Sequence, residues 1–99
     1  MAKYLVEVPH SADLLSCAKT VKIFLETGSL YLVNADWGCP DGVHSSWMVV
    51  DAEDKNEARN IVPPGYRNDA NIITLGKFTL DQVNGIISRH TAPAAKSQN

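Results

Sequence analysis

A chain of 99 residues holds one domain and leaves no room for a second core. A hydrophobic content of 44% fits an ordinary globular protein, and a net charge of −2 without any basic run lacks the electrostatic footprint of a nucleic-acid binder. No apolar stretch approaches the ~20 residues of a membrane helix, and the N-terminus carries no signal-peptide pattern, so the sequence reads as cytoplasmic. In that compartment Cys17 and Cys39 are free thiols, and no CxxC pair marks a zinc module.

Residues 3–8 alternate as a strand, with Tyr4, Val6 and Val8 on one face and Leu5 and Glu7 on the other. Pro9 ends it. Ser11 is placed to cap a helix whose apolar stripe is Leu14, Cys17, Ala18, Val21 and Leu25, closed by Gly28. Residues 30–37 and 43–50 read as two further strands joined by the five-residue loop 38–42. Asp54 and Glu57 form a capping box for a short helix with Ala58, Ile61 and Val62 inward, stopped by Pro63 and Pro64. Residues 71–78 form a fourth strand. Thr79 and Gln82 open a last helix with Leu80, Val83, Ile86 and Ile87 inward. The domain spans residues 1–90, and 91–99 read as a flexible tail.

The order βαββαβ plus a terminal helix is α+β and ferredoxin-like, with a four-stranded antiparallel sheet in the order 4-1-3-2. A hairpin symmetric about Pro40 sets Asp36 opposite His44, Asn34 opposite Ser46, Leu32 opposite Met48 and Leu30 opposite Val50, all on one face. The other face receives Tyr31, Val33, Ala35, Trp37, Val43, Ser45, Trp47 and Val49, and packs against the helices. A register slip of one residue exchanges these faces. The open face, with Leu5, Leu30, Leu32, Met48 and Val50, then calls for a partner. A second copy packed sheet to sheet gives a homodimer with a small-molecule cavity between the sheets.

With this element order, the chain resembles the dimeric α/β-barrel superfamily over residues 3–90. That group includes muconolactone isomerase-like proteins, small antibiotic-biosynthesis monooxygenases and uncharacterised stress-responsive members. Three stretches are similar to those of uncharacterised bacterial members: Tyr4-Leu5-Val6-Glu7-Val8-Pro9-His10; Asp36-Trp37-Gly38-Cys39; and Glu57-Ala58-Arg59-Asn60-Ile61-Val62-Pro63-Pro64, leading through Tyr66-Arg67. The resemblance implies the fold and the dimer. No catalytic residue of the named enzymes maps onto a position here.

The topology gathers His10, Asp36, Cys39, His44, Tyr66 and Arg67 at one sheet edge. A carboxylate across from an imidazole raises its basicity, so His44 is the candidate base and Asp36 its orienter, for a cofactor-independent isomerase or monooxygenase. Glu7, His10, Asn34, Cys39, Ser46, Tyr66 and Arg67 are the candidate ligand contacts. Alternatively, His10 and His44, joined by Asp36, Glu7 or Cys39, hold a divalent metal such as Zn or Ni, a thiolate favouring Zn. Cys17, on the sheet-facing stripe of the first helix, is expected to be a core residue outside this set. A third reading is a non-catalytic dimeric interaction module.

Overall fold

A computed structural model describes residues 1–91. In chain order it contains β1 (Ala2–Pro9), α1 (Leu14–Glu26), α2 (Leu30–Val33), β2 (Asp36–Trp37), β3 (Ser45–Ala52), α3 (Lys55–Ile61), β4 (Asn71–Leu75) and α4 (Leu80–Thr91), with 3₁₀ turns at Cys39–Asp41 and Pro64–Tyr66. The fold is α+β. The four strands form an open antiparallel sheet in the order β2-β3-β1-β4. Thr91 is the last residue of α4, and the rest of the expected tail lies outside the described residues.

Alternation in β1 decides the core. Tyr4, Val6 and Val8 are buried, and they pack with Met48 and Val50 of β3, Ile72 of β4, Phe24 of α1, Leu32 of α2 and Ala58 of α3. Burying each large aliphatic or aromatic side chain contributes about 1.5–3 kcal/mol. The Thr79–Gln82 capping box forms, whereas at α3 Asp54 caps the helix and the Glu57 carboxylate accepts from the Glu53 amide at 2.6 Å instead of from Asp54. The Asp54 carboxylate accepts from the Glu57 amide at 2.8 Å, and Thr79 and Gln82 exchange side chain-to-backbone bonds of 2.8 and 3.1 Å.

Three expectations are corrected. First, residues 30–33 are helical instead of extended. Asn34 donates its side-chain amide to the Leu30 carbonyl at 2.9 Å, and Leu32 turns into the core. β2 is therefore only two residues long and leaves much of the β3 edge unpaired. There the Tyr31 hydroxyl accepts from the Asp51 amide at 3.2 Å, supplying the partner a longer strand would have given.

Second, the hairpin is not symmetric about Pro40. The Gly38 carbonyl accepts from the amides of Asp41 and Val43 at 2.9 and 3.0 Å, coiling the loop. Asp36 then faces Trp47, three positions beyond His44, and Trp37 faces Ser46. An odd displacement exchanges the faces of β3. Met48 and Val50 are core, while Val49 is 50% exposed on the open side, where its register neighbour is Leu5. The pairings of Asn34 with Ser46, Leu32 with Met48 and Leu30 with Val50 do not occur. Gly38 itself approaches the Trp47 ring so closely that a Cβ there would lie 2.8 Å from it and 2.6 Å from the Val43 carbonyl.

Third, α1 presents Cys17, Thr20 and Phe24 to the core, while Leu14, Ala18 and Leu25 face outward. A buried threonine is tolerated because its hydroxyl bonds the Ser16 carbonyl and the Tyr66 hydroxyl, each at 2.9 Å. Asp13, not Ser11, caps the helix, its carboxylate accepting from the Ser16 amide at 3.0 Å. α4 likewise buries no residue fully: Leu80 and Ile87 are exposed, and Val83 is half-buried.

The phase of α1 is directly testable by chemical denaturation. Phe24→Ala is expected to cost about 3–5 kcal/mol. Leu25→Ala, at a position 51% exposed, is expected to cost less than about 1 kcal/mol. Equal losses for the two would contradict the packing described.

Candidate metal centre

Three segments, the end of β1, α1 and the β2–β3 loop, converge at the end of the sheet on its helix-covered side. His10 directly follows β1, and its amide donates to the His44 carbonyl at 3.0 Å, tying the exit of β1 to the entry of β3. Cys17 lies in the first turns of α1, where its amide bonds the carbonyl of the capping Asp13 at 2.8 Å. Cys39 opens the 3₁₀ turn, and its carbonyl accepts from Gly42 at 2.9 Å. Gly42 takes a φ of 76°, a left-handed conformation suited to glycine, and returns the chain toward His44.

These placements bring two imidazoles and two thiols into contact. His10 Nε2 lies 3.2 Å from Cys17 Sγ and 3.1 Å from Cys39 Sγ, and the two sulfurs are 3.2 Å apart. One ligating atom from each of His10, Cys17, Cys39 and His44 lies within 4.8 Å of all the others. The His10 and His44 rings meet edge to face with centroids 5.6 Å apart. Trp37 walls the group off from the core: its ring is 5.5 Å from His10 and 4.9 Å from Phe24.

The electrostatics match a group of ligands. Burial, and secondarily the proximity of His44, lowers the His10 pKa, so its imidazole favours the neutral form that binds metals; the Val8 backbone opposes this. The Cys17 thiol donates a hydrogen bond to Cys39 Sγ, and this bond, with burial and the Cys39 charge, raises its pKa. His44 Nδ1 is buried without a hydrogen-bond partner among the described residues, and His10 Nδ1 makes no well-formed bond either. An orphaned buried nitrogen costs about 1–3 kcal/mol unless something satisfies it. A cation would.

The donor set also fits by size. Zn–S bonds of ~2.3 Å and Zn–N bonds of ~2.0–2.1 Å give tetrahedral ligand–ligand edges of roughly 3.3–3.8 Å. Around an ion the three contacts of 3.1–3.2 Å would open by about half an ångström, and donor separations of up to 4.8 Å would close by about 1 Å.

The remaining candidates are placed elsewhere. Asp36 is exposed on the open face and pairs with Trp47. Glu7 accepts from Ser45 at 3.2 Å and Asn71 at 3.3 Å on that same face. Asn34 is spent on α2, and Ser46 is buried under the helices. The Arg67 guanidinium donates to the carbonyls of Val62 at 2.7 Å and Asn60 at 2.9 Å, anchoring the end of α3. Tyr66 and His10 do share a surface hollow of about 360 Å³ with Thr20, Lys19 and Asp69.

Cys17 is the residue that the sequence reading excluded and the structure adds. The intervals between the four candidate ligands follow no metal motif. The available signal was that the group takes both cysteines of the chain and two of its three histidines. No protein-family model matches the chain, and no curated protein or solved structure is significantly similar to it.

Ligation replaces protons with metal. Because Cys17 holds its proton, zinc titrated into the reduced protein near neutral pH is expected to release at least one proton per ion. Calorimetry in buffers of different ionisation enthalpy reads this directly. Proton-neutral binding would argue against thiolate ligation. For the metal-free fold, the lowered His10 pKa has the opposite sign to an ion pair. Its contribution is present above the unfolded value of about 6.5 and is lost as pH falls through the lower folded value.

Proposed function

We propose that this chain is a small metal-binding protein that holds one zinc ion through His10, Cys17, Cys39 and His44. The observation that carries this reading is the convergence of the four donor groups, from the end of β1, α1 and the β2–β3 loop, within 4.8 Å. Two sulfurs and two nitrogens favour Zn over Ni, because soft thiolates and an S₂N₂ set suit zinc, whereas Ni prefers tetragonal N and O ligation. Four protein ligands leave no open position for a substrate or an activated water, so the ion is a structural staple. It joins β1, α1 and the β2–β3 loop in a domain whose core is small. The alternative of base catalysis by His44 requires Asp36 beside it. His44 instead adjoins His10 and the thiols, and nothing in the site favours that alternative over a metal.

The test uses protein purified without a histidine tag and fully reduced. Cobalt is expected to bind one per chain, with the intense ligand-field bands of a tetrahedral thiolate site. Cys17→Ser and Cys39→Ser should each lose the sulfur-to-metal charge-transfer absorption and weaken zinc binding at least tenfold. Full metal binding by Cys17→Ser would sink the proposed ligand set.

We also infer that two copies associate through their open sheet faces as a ferredoxin-like dimeric α/β barrel. The order β2-β3-β1-β4, which counted from the opposite edge is 4-1-3-2, supports that topology. Support for pairing comes from the apolar open face, where Val49, Ile73 and Leu75 are 50%, 47% and 38% exposed beside Leu5 and Trp47. The Lys3–Asp51 ion pair of 3.2 Å at its end gives two-fold-related copies charges of both signs to set against each other. Sedimentation is expected to give a dimer at micromolar concentration and a monomer for Val49→Lys. A monomeric parent chain would overturn the inference.

A further inference from the structure

We propose that the Cys17–Cys39 pair is a two-electron redox gate on the metal site: oxidation by a hydroperoxide joins the two sulfurs and expels the zinc. The proposal rests on the zinc reading above and names the regulation of that same site.

Geometry carries it. The two sulfurs are 3.2 Å apart in the structure, so closing to a disulfide of ~2.05 Å asks for about 1 Å of movement, and for less than about 2 Å from the roughly 3.8 Å sulfur–sulfur edge of a tetrahedral zinc site. They are the chain's only cysteines, so each thiol has one intramolecular partner. They differ in access. Cys39 sits half-buried on the loop, while Cys17 is 8% exposed behind it. Cys39 is therefore the sulfur a small oxidant meets first, and Cys17 is placed to resolve the product.

The Cys39 sulfur attacks the outer oxygen of the hydroperoxide, the O–O bond breaks, and the alcohol departs, leaving a sulfenic acid on Cys39. The Cys17 sulfur then attacks the Cys39 sulfur, an S–S bond forms and the S–O bond breaks, releasing water. The two sulfurs have lost two electrons and the peroxide has gained them. Starting from the zinc dithiolate, solvent supplies two protons, and zinc leaves as the dication with one alcohol and one water.

The consequence follows from which segments each link joins. The disulfide consumes both thiolates and leaves zinc two imidazoles, too few for a tight tetrahedral site. It also crosslinks two of the three segments the ion had joined, α1 and the β2–β3 loop. The chain exchanges an ionic staple for a covalent one, so zinc is released from a folded protein. His10 and His44 are the ligands set free.

Treating the zinc-loaded, reduced full chain with hydrogen peroxide tests this. Expected is loss of the bound zinc to a chromogenic chelator, in step with loss of two thiols and a mass lower by two hydrogens. Far-ultraviolet circular dichroism should keep its amplitude, and reductant plus zinc should restore the starting state. With Cys17→Ser, dimedone should trap the sulfenic acid on Cys39; with Cys39→Ser, Cys17 should give no adduct. Should either variant fail to fold, the mass and zinc readings on the parent chain still decide. Zinc retention, an intermolecular disulfide, or oxygen added to Cys39 without crosslinking would overturn the redox gate while leaving the zinc reading intact. If no zinc loads at all, the metal reading fails, and disulfide formation in the metal-free chain then tests the sulfur chemistry alone.

Discussion

The carbonyl of Gly38 organises this molecule. By accepting from both Asp41 and Val43 it coils the loop between β2 and β3 into a tight turn. That turn sets the strand register at Asp36 with Trp47, and the register sends Met48 and Val50 into the core. The same turn puts Cys39 and His44 at the helix-covered end of the sheet. Gly38 can play this part because it has no side chain: the Trp47 ring and the Val43 carbonyl already occupy the space a Cβ would need. Fold and candidate site thus depend on one backbone geometry.

Around that turn, each ligand is held by bonds made before any metal is considered. The His10 amide is fixed to the His44 carbonyl, the Asp13 cap sets where α1 begins, and Gly42 closes the turn after Cys39. Trp37 supplies the dry wall. A site whose backbone is set in this way loses less entropy on binding an ion than one assembled from mobile loops. The proposed zinc would still do structural work. It would satisfy the buried His44 nitrogen and add crosslinks among segments far apart in the chain.

How much of this was legible in the sequence varies by residue, for physical reasons. The alternation of Tyr4, Val6 and Val8 reported the buried face of β1, and the Asp54–Glu57 and Thr79–Gln82 pairs reported helix starts, because these are local patterns. The gathering of His10, Cys39 and His44 at one edge followed from topology. Three things did not follow. Leu30–Val33 reads as a strand by composition, yet tertiary packing of Leu32 and the Asn34 side-chain bond make it helical. The hairpin register depends on a loop conformation that composition does not specify. Cys17 is buried as expected, but the flipped register moved Cys39 and His44, though not Asp36 or Glu7, to the side of the sheet that α1 covers, and so placed Cys17 beside them. Thr20 disguised the true stripe of that helix, since its burial depends on a hydroxyl contact with Tyr66, far along the chain.

The central claim is a mononuclear zinc site of two thiolates and two imidazoles. X-ray absorption at the zinc edge of the reduced, zinc-loaded chain tests it most directly. The account predicts four ligands, two sulfurs at ~2.3 Å and two nitrogens at ~2.0–2.1 Å. A shell of nitrogen and oxygen alone would contradict it.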